Sequence, residues 1–268
     1  MLTLENIVIV KLGGSVITKK DSTPPQVNEE HLHRIARELS TYDGKLIVVL
    51  GGGAHGHQAA HKYGFDNSKT HPNELMQGIP EIRHNMLLLS MRVEEILNAE
   101  GIPSVVFSPF MSVTLKDNII DDFPLDIIRF ILNSGLVPII HGDVCIDKSK
   151  SASILSGDTI ATYLAVSLSA RTVLIGTNVD GVLESDPKLN PNAKHIPIIN
   201  KFNQGLILEK TGPSSTTDVT GGMVKKIKEL LTLSNQNVEV VIFNLLVSGR
   251  LADLLKGNPT TCTRFEYN

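Results

Sequence analysis

The sequence predicts an α/β fold with a mainly parallel central β-sheet covered by helices on both faces. Apolar, β-branched runs alternate along the chain with amphipathic segments of helix length. Continuous apolar runs are typical of strands buried on both faces, and strands that alternate with helices form βαβ units with parallel strands. The predicted strands are residues 7–12, 46–50, 104–107, 136–140, 172–175 and 238–243.

The predicted helices lie between these strands. Asn28 is placed to cap the first helix, and Gly135 follows a later one, at a position where glycine commonly ends a helix. A hairpin is predicted over residues 113–120, and residues 188–215, rich in Pro, Asn, Gly and Ser, are predicted to form a loop. The helices are residues 29–41, 81–99, 125–133, 158–168 and 222–234.

Length and composition limit the class of protein. A chain of 268 residues suits one α/β domain, 1–268, of two closely joined lobes that meet near Ser169. A net charge of −3 is not that of a general nucleic-acid or membrane-surface binder. With only two cysteines, no long apolar stretch and no signal-peptide pattern, we expect a cytoplasmic protein without disulfides.

Glycine-rich segments directly follow two of the predicted strands. The first is Lys11-Leu12-Gly13-Gly14-Ser15, and the second is Gly51-Gly52-Gly53, which leads into His55 and His57. Glycines let backbone N–H groups face phosphate oxygens, and a helix that follows directs its positive end at the same place. The second segment is neither a Walker loop nor a dinucleotide fingerprint. For the first segment an ordinary turn is an equal alternative, whereas three successive glycines exceed what a turn needs.

Three further segments carry polar residues where a strand ends or a helix begins. Ser156-Gly157-Asp158 opens a helix, and Asp158 either caps that helix or holds neighbouring lysines in place. The segment Asn178-Val179-Asp180-Gly181-Val182 follows a strand at the edge where α/β sheets bind ligands. Residues 218–226 contain Gly221-Gly222 and end in Lys225 and Lys226, which form either a phosphate site or a solvated basic face.

These segments together favour phosphoryl transfer to a small anionic acceptor. Glycines follow predicted strands repeatedly, and lysines lie near two of these glycine segments. The sequence shows no Ser/His/Asp or Cys/His arrangement that would indicate a protein nucleophile instead. Phosphoryl transfer depends on positioning and charge neutralisation more than on covalent chemistry. Several histidines fall near the triple glycine, but no cysteine or spaced carboxylate accompanies them, so we predict no protein metal site.

In this order the motifs resemble the amino acid kinase superfamily and, within it, the isopentenyl phosphate kinase family. The resemblance covers nearly the whole chain, and the departures from the family pattern are Leu50, His55 and Asn178. Its motifs are Lys11-Leu12-Gly13-Gly14-Ser15-Val16-Ile17-Thr18, the triple glycine through His57, His141-Gly142-Asp143-Val144, Ser156-Gly157-Asp158, Val179-Asp180-Gly181-Val182 with Asp186-Pro187, and Asp218-Val219-Thr220-Gly221-Gly222-Met223 with Lys226.

The resemblance implies a fold, a reaction and a set of site residues. The fold is an open αβα sandwich, usually dimeric, with an acceptor-binding lobe near 1–168 and a nucleotide-binding lobe near 169–268. The reaction is transfer from ATP, with Mg²⁺ held chiefly by the ATP phosphates, to isopentenyl phosphate. The implied catalytic residues are Lys11, Lys20, His57, Asp158 and Lys226; the nucleotide contacts are Lys11, Gly13, Gly14, Ser15, Gly53, Asp180, Gly222 and Lys226; the acceptor contacts are Gly52, His57 and Gly157.

The residues agree with such a reaction. An acceptor monophosphate, with a second pKa of about 6, is largely ionised at neutral pH and needs no strong base. Lysines, backbone N–H groups and His57 would instead bring two anions together. A fosfomycin-type phosphonate kinase is the alternative, and a small polar acceptor pocket would favour it. A non-catalytic anion-binding protein of the same fold would be expected to lack the lysines.

One predicted helix, residues 81–99, carries two further predictions. It is apolar on more than one face, which favours a homodimer because the sheet covers only one of them. We also expect an apolar pocket for the acceptor tail between this helix and the sheet, with Ile82, Met86, Ile146 and Ile154 as candidate lining residues.

Overall fold

A computed structural model of the chain describes residues 6–19, 22–65, 70–185, 190–210 and 222–267. Lys20, Asp186-Pro187 and residues 218–221 of the predicted motifs lie outside these ranges. The strands are β1 Val8–Leu12, β2 Thr18–Lys19, β3 Gln26–Val27, β4 Leu46–Leu50, β5 Ser104–Phe107, β6 Thr114–Lys116, β7 Ile119–Asp122, β8 Val137–His141, β9 Asp143–Asp147, β10 Ser151–Leu155, β11 Thr172–Thr177, β12 Val182–Leu183, β13 His195–Ile196, β14 Ile198–Asn200, β15 Glu239–Asn244 and β16 Cys262–Glu266.

The helices alternate with these strands, as the sequence predicts. A single 3₁₀ turn at Pro109–Met111 follows β5. The α-helices are α1 Gly14–Ile17, α2 Glu29–Leu39, α3 Gly53–Lys62, α4 Pro72–Ala99, α5 Leu125–Asn133, α6 Gly157–Ser167, α7 Gln204–Lys210, α8 Gly222–Leu231 and α9 Arg250–Lys256.

The central sheet is mainly parallel and buried on both faces. Its strand order is β14-β16-β15-β11-β1-β4-β8-β5, and β1 pairs in parallel with both β11 and β4. Alternate residues of β1 enter opposite hydrophobic clusters, since Ile9 belongs to one and Val10 to the other. The predicted αβα sandwich is therefore confirmed; an antiparallel pairing of β15 with β16 interrupts the parallel order near one edge.

A smaller sheet of order β10-β9-β6-β7 lies beside the main one. It contains the predicted hairpin, whose turn residues Asp117 and Asn118 both have positive φ, at 53° and 64°. The buried carboxylate of Asp147 accepts hydrogen bonds from the backbone N–H groups of both turn residues, at 3.2 and 2.9 Å, and so ties the hairpin to β9.

Two predictions about elements were wrong in their extent. The helix predicted from residue 81 begins at Pro72, and Pro80 lies inside it. The loop predicted over 188–215 contains β13, β14 and α7 within its described part. Short strands with polar residues give little periodic signal, which explains the second error. No helix in the described ranges is long and apolar enough to cross a membrane.

Candidate active site

The predicted site segments meet at one edge of the central sheet. Strands β1, β4, β8 and β11 are parallel, so their carboxyl ends lie at the same edge. Gly13 follows β1, Gly51 follows β4, Gly142 follows β8 and Asn178 follows β11. Ligands of open α/β sheets bind at such an edge. Segments far apart in sequence are thereby gathered in one place.

The two glycine-rich segments are packed directly against each other. A Cβ atom added to Gly14 would lie 2.2 Å from the backbone nitrogen of Gly53. Gly53 itself has a φ of +50°, and a Cβ atom there would lie 2.3 Å from Thr18 Oγ1. Both positions therefore need glycine so that the two backbones can approach each other closely.

Thr18 joins the same two segments by hydrogen bonds. Its buried hydroxyl donates to the Gly14 carbonyl at 2.8 Å and accepts from the Ala54 N–H at 3.1 Å. The second bond satisfies one of the N–H groups at the start of α3, which have no partner within the helix. Thr18 was part of the motif predicted from sequence, but no role was assigned to it.

Lys11, Asp158 and Lys226 form the charged centre of the site. Lys11 Nζ lies 2.9 Å from Asp158 Oδ1, and Lys226 Nζ lies 2.5 Å from Asp158 Oδ2. Lys11 comes from the end of β1, Asp158 from the first turn of α6, and Lys226 from α8. Ser156, not Asp158, caps α6, because its hydroxyl accepts from the Thr159 N–H at 3.1 Å. Of the two roles considered for Asp158, the structure supports the pairing with lysines.

Burial and charge together set the ionisation of this cluster. Burial works against ionised Asp158, but Lys11 and Lys226 hold the pKa of its carboxyl well below the usual range. Burial lowers the pKa of Lys11 to about 8; Asp158 opposes that change and Lys226 adds to it. Two ammonium groups around one carboxylate leave excess positive charge, which suits an incoming phosphate.

Glu229 extends this cluster and was missed in the sequence. It lies three residues after Lys226 on α8, and its carboxylate accepts from Thr159 Oγ1 of α6 at 3.2 Å. Burial, with the nearby charge of Asp158, raises the pKa of Glu229. The spacing of Lys226 and Glu229 places both on one face of α8, which was the available signal. Among the described residues, no group of three or more His, Cys, Asp and Glu side chains is arranged to hold a metal ion.

His55 and His57 have different surroundings on α3. His57 is half-buried in the second turn of the helix, whereas His55 is buried and its pKa is lowered by that burial. Met86 of α4 packs against the same helix, since a Cβ atom on Gly56 would lie 3.0 Å from Met86 Sδ. Gly52, the residue before α3, is also near Met86 Sδ, at 3.6 Å from a built Cβ.

Gly157 stands at the start of α6, close to the segment after β4. A Cβ atom on Gly157 would lie 2.9 Å from the Leu50 carbonyl oxygen, and one on Gly142 would lie 3.2 Å from the Gly157 nitrogen. The Gly142 N–H also donates to the Leu50 carbonyl at 3.0 Å. Gly142 and Gly157 therefore adjoin the triple-glycine segment.

Asp180 is held by two residues that the sequence did not reveal. Arg250 Nη1 lies 2.6 Å from Asp180 Oδ1, and Asn244 Nδ2 donates to the same oxygen at 3.1 Å. Burial opposes ionisation of Asp180, but Arg250 and Asn244 keep the pKa of the carboxyl below its usual range. Of the other predicted nucleotide contacts, Ser15 is exposed on α1 and Gly222 begins α8 with a φ of +64°.

The amino acid kinase family model matches residues 6–244 of this chain. The chain belongs to the amino acid kinase family. Within that family it is 35% identical to the isopentenyl phosphate kinase of Methanothermobacter thermautotrophicus, over 96% of this chain and 98% of the relative. It is 36% identical to the isopentenyl phosphate kinase of Methanocaldococcus jannaschii, over 82% of this chain and 85% of the relative.

Comparison with solved structures finds the same fold in other kinases. An X-ray structure of isopentenyl phosphate kinase superimposes with a TM-score of 0.85 at 32% identity, covering 97% of this chain and all of the other. A UMP kinase from Ureaplasma parvum, at 18% identity and a TM-score of 0.66, shares the fold. The isopentenyl phosphate kinases, at 32–36% identity, identify the chain as a phosphotransferase with kinase function.

Proposed function

We propose that this kinase transfers the terminal phosphoryl group of ATP to isopentenyl phosphate, forming ADP and isopentenyl diphosphate. The product would serve isoprenoid biosynthesis by an alternative mevalonate route. The observation that carries the proposal is the buried Lys11–Asp158–Lys226 cluster beside two packed glycine segments. The similarity to isopentenyl phosphate kinases over nearly the whole chain supports this choice of acceptor.

In the proposed reaction an acceptor phosphate oxygen attacks the γ-phosphorus, and the bond to the β–γ bridging oxygen breaks. Negative charge moves to ADP, and Lys11 and Lys226 offset it because they are cationic and already in place. Asp158 pairs with both lysines and offsets their mutual repulsion, and so would hold the two ammonium groups in place. Lys20, which lies outside the described residues, is proposed to act on the transferring group, so that its loss should lower kcat more than ATP affinity.

The remaining proposed contacts divide between the two substrates. His57 would donate a hydrogen bond to the acceptor phosphate from the second turn of α3, where it is half-buried. Mg²⁺ would be held chiefly by the ATP phosphates, because Asp158 is already paired with two lysines. The acceptor would also contact Gly52 and Gly157; the nucleotide would contact Lys11, Gly13, Gly14, Ser15, Gly53, Asp180, Gly222 and Lys226.

We propose that the acceptor tail lies beside Met86, where the surrounding side chains are apolar. Ile82 and Met86 are buried in one hydrophobic cluster, and Ile154 of β10 packs against it. Ile146, the fourth candidate, is 38% exposed and does not belong to that cluster. Apolar lining beside Gly52 favours a prenyl phosphate over a small polar phosphonate such as fosfomycin.

We further propose a cytoplasmic homodimer that binds neither nucleic acid nor membrane. Leu88 and Met91 of α4 are 51% and 59% exposed on the face turned away from the buried residues of that helix. A partner subunit would cover them and remove apolar surface from water. Light scattering at micromolar concentration would contradict the dimer if it gave the mass of one chain.

ATP consumption tests the proposed acceptor directly. Purified protein would be incubated with MgATP and isopentenyl phosphate, fosfomycin, glutamate or no acceptor, and ADP and the phosphorylated product would be measured. We expect ADP formation that depends on isopentenyl phosphate, with isopentenyl diphosphate in equal amount. Turnover with fosfomycin alone, or ADP formation with no acceptor dependence, would contradict the proposal.

A further inference from the structure

Glu38 of α2 caps a helix that lies more than 200 residues further along the chain. Its buried carboxylate accepts from the backbone N–H groups of Gly249, Leu251 and Ala252 at 3.1, 3.1 and 3.2 Å. These groups begin α9, whose own N-cap residue is a glycine with no side chain to supply. The first N–H groups of a helix need such acceptors, and a carboxylate also suits the positive helix end.

Arg34 completes the same arrangement from the preceding turn of α2. Its Nη1 lies 2.6 Å from Glu38 Oε1, and its Nη2 donates to the Leu245 carbonyl at 2.5 Å. The charge of the buried carboxylate is therefore compensated, as a buried ion requires. Glu38 and Arg34 together hold the segment between β15 and α9 at both of its ends.

The same segment also contacts a residue of the proposed nucleotide site. Arg250 lies between Gly249 and Leu251, the residues whose N–H groups Glu38 binds, and its guanidinium pairs with Asp180 at 2.6 Å. The Leu245 N–H donates to the Thr177 carbonyl at 2.8 Å, which joins the segment to the end of β11. The backbone that Glu38 fixes is the backbone that directs Arg250 at Asp180.

We infer that Glu38 is a positioning residue for nucleotide binding, acting through Arg250 on Asp180. Gly249 has a φ of +86°, a left-handed conformation that a serine or aspartate cap would adopt only with strain, so α9 takes its acceptors from another helix. A buried carboxylate from another helix is costly, but it joins α2 to the segment beside Asp180. The inference rests on the proposed function insofar as that function assigns Asp180 to the nucleotide site.

The test is direct titration with the non-hydrolysable ATP analogue AMP-PNP and Mg²⁺. Glu38→Gln keeps the size of the side chain but removes its charge. It also places an amide N–H group where a carboxylate oxygen accepted from backbone N–H groups. We expect its Kd for AMP-PNP to rise about 10-fold, the loss typical of one charge-assisted hydrogen bond, with KM for the acceptor unchanged. Glu29→Gln is the matched control, because Glu29 lies on the same helix and pairs with Arg92 at the surface.

A double-mutant cycle separates positioning from simple stabilisation. Arg250→Gln should raise the Kd by a similar factor, and the double variant Glu38→Gln/Arg250→Gln should be little worse than either, because both act on one interaction. The inference would be overturned if the increase in Kd of the double variant equalled the product of the two single increases. It would also be overturned if Glu38→Gln had a lower Tm with an unchanged Kd.

Two further arms keep the test decisive. If Glu38→Gln does not fold, Arg34→Lys serves instead, since a lysine cannot bind both Glu38 and the Leu245 carbonyl as Arg34 does. It should raise the Kd about 3-fold, roughly 0.6 kcal/mol by RT ln 3, and an unchanged Kd would overturn the inference. Because AMP-PNP binding needs no acceptor, failure of wild-type turnover with isopentenyl phosphate would count against the proposed function alone.

Discussion

Lys11 Nζ and Asp158 Oδ1 lie 2.9 Å apart across the carboxyl edge of the sheet, both of them buried. Asp158→Asn would leave Lys11 and Lys226 facing each other without the intervening charge. We expect the variant to lose about 3–5 kcal/mol in free energy of unfolding, as buried ion pairs do when one partner is removed. We also expect kcat to fall by at least about 100-fold, because misplaced cations no longer match the transition state.

Asp126→Asn is the matched control for this prediction. Asp126 also lies in the first turn of a helix, but its side chain is fully exposed and its partner Arg129 is at the surface. Exposed pairs contribute about 0–1 kcal/mol, so stability and kcat should both stay near wild-type values. Urea denaturation and steady-state kinetics measure the two effects, and an Asp158→Asn enzyme with wild-type kcat would contradict the assigned role.

Gly14→Ala tests the contact between the two glycine segments. The added methyl group would lie 2.2 Å from Gly53 N, a backbone atom that cannot move without shifting the start of α3. We expect a loss of about 1–3 kcal/mol or more in stability, with weaker nucleotide binding. Gly205→Ala is the control, because no atom lies within 4 Å of its new Cβ. This change in helix α7 should increase the free energy of unfolding by about 0.5–1 kcal/mol. Thermal unfolding of both variants measures the difference. Equal Tm values for Gly14→Ala and Gly205→Ala would contradict the contact.

The parts of the site that the sequence predicts are those with a local pattern. Lys11 and the triple glycine stand directly after apolar strands, and parallel strands bring their carboxyl ends together whatever the details of packing. Asp158 was also found, but its choice between capping and pairing needed the structure, because Ser156 two residues earlier serves equally well as a cap.

Other parts of the site depend on contacts between distant residues. Arg250 meets Asp180 across 70 residues of chain, and Glu38 meets Leu251 across 213. No periodicity or spacing reports such a pairing, since a charged residue on a helix usually faces solvent. The early start of α4 was missed because Pro80 removes a helix hydrogen bond and normally marks a boundary.

Asp143→Asn should change how stability depends on pH. Burial raises the pKa of Asp143 to about 7, against the opposing effects of the Val144 N–H and Arg83. A carboxyl whose pKa is raised on folding contributes its full stabilisation below its unfolded pKa, near 4. That contribution declines as the pH rises above 4 and is lost once the pH has risen through the folded pKa of about 7. Asparagine keeps an acceptor for the Val144 N–H and does not titrate.

The free energy of unfolding of Asp143→Asn, relative to wild type, should therefore increase by roughly 3–4 kcal/mol between pH 4 and pH 8. Neighbouring His141, whose pKa burial lowers to about 4, is common to both proteins. Urea denaturation at four pH values measures the difference. Asp121→Asn, at an exposed carboxyl with a lowered pKa, should show no such increase; a constant difference for Asp143→Asn would contradict burial as the cause.

Met86→Ala should change the preferred length of the acceptor tail. Met86 lies on α4 and is buried against the glycines at the start of α3. Alanine at this position leaves space where the tail is proposed to lie. We expect kcat/KM to shift toward longer prenyl phosphates such as geranyl phosphate, at a stability cost of about 2–5 kcal/mol. Met91→Ala, on the exposed side of the same helix, should leave the preference unchanged. The same preference in Met86→Ala and wild type would place the tail elsewhere.

His57→Ala should weaken catalysis through the acceptor rather than through ATP. The side chain is half-buried on α3, directly after the segment that holds Gly52 and Gly53, and the acceptor oxygen is already ionised. Loss of one charge-assisted hydrogen bond, about 1.5–3 kcal/mol, corresponds to a decrease in kcat/KM of roughly 10- to 150-fold. His57→Gln keeps a donor and should recover part of that loss, which a residue acting as a base would not allow.

His61→Ala is the control, because His61 lies one turn later on the same helix and is exposed. Its kcat/KM should equal that of wild type. A folded His57→Gln enzyme as impaired as His57→Ala would mean that His57 does more than donate a hydrogen bond. Unchanged acceptor affinity and turnover in His57→Ala would remove it from the site and weaken the assignment of a phosphorylated acceptor.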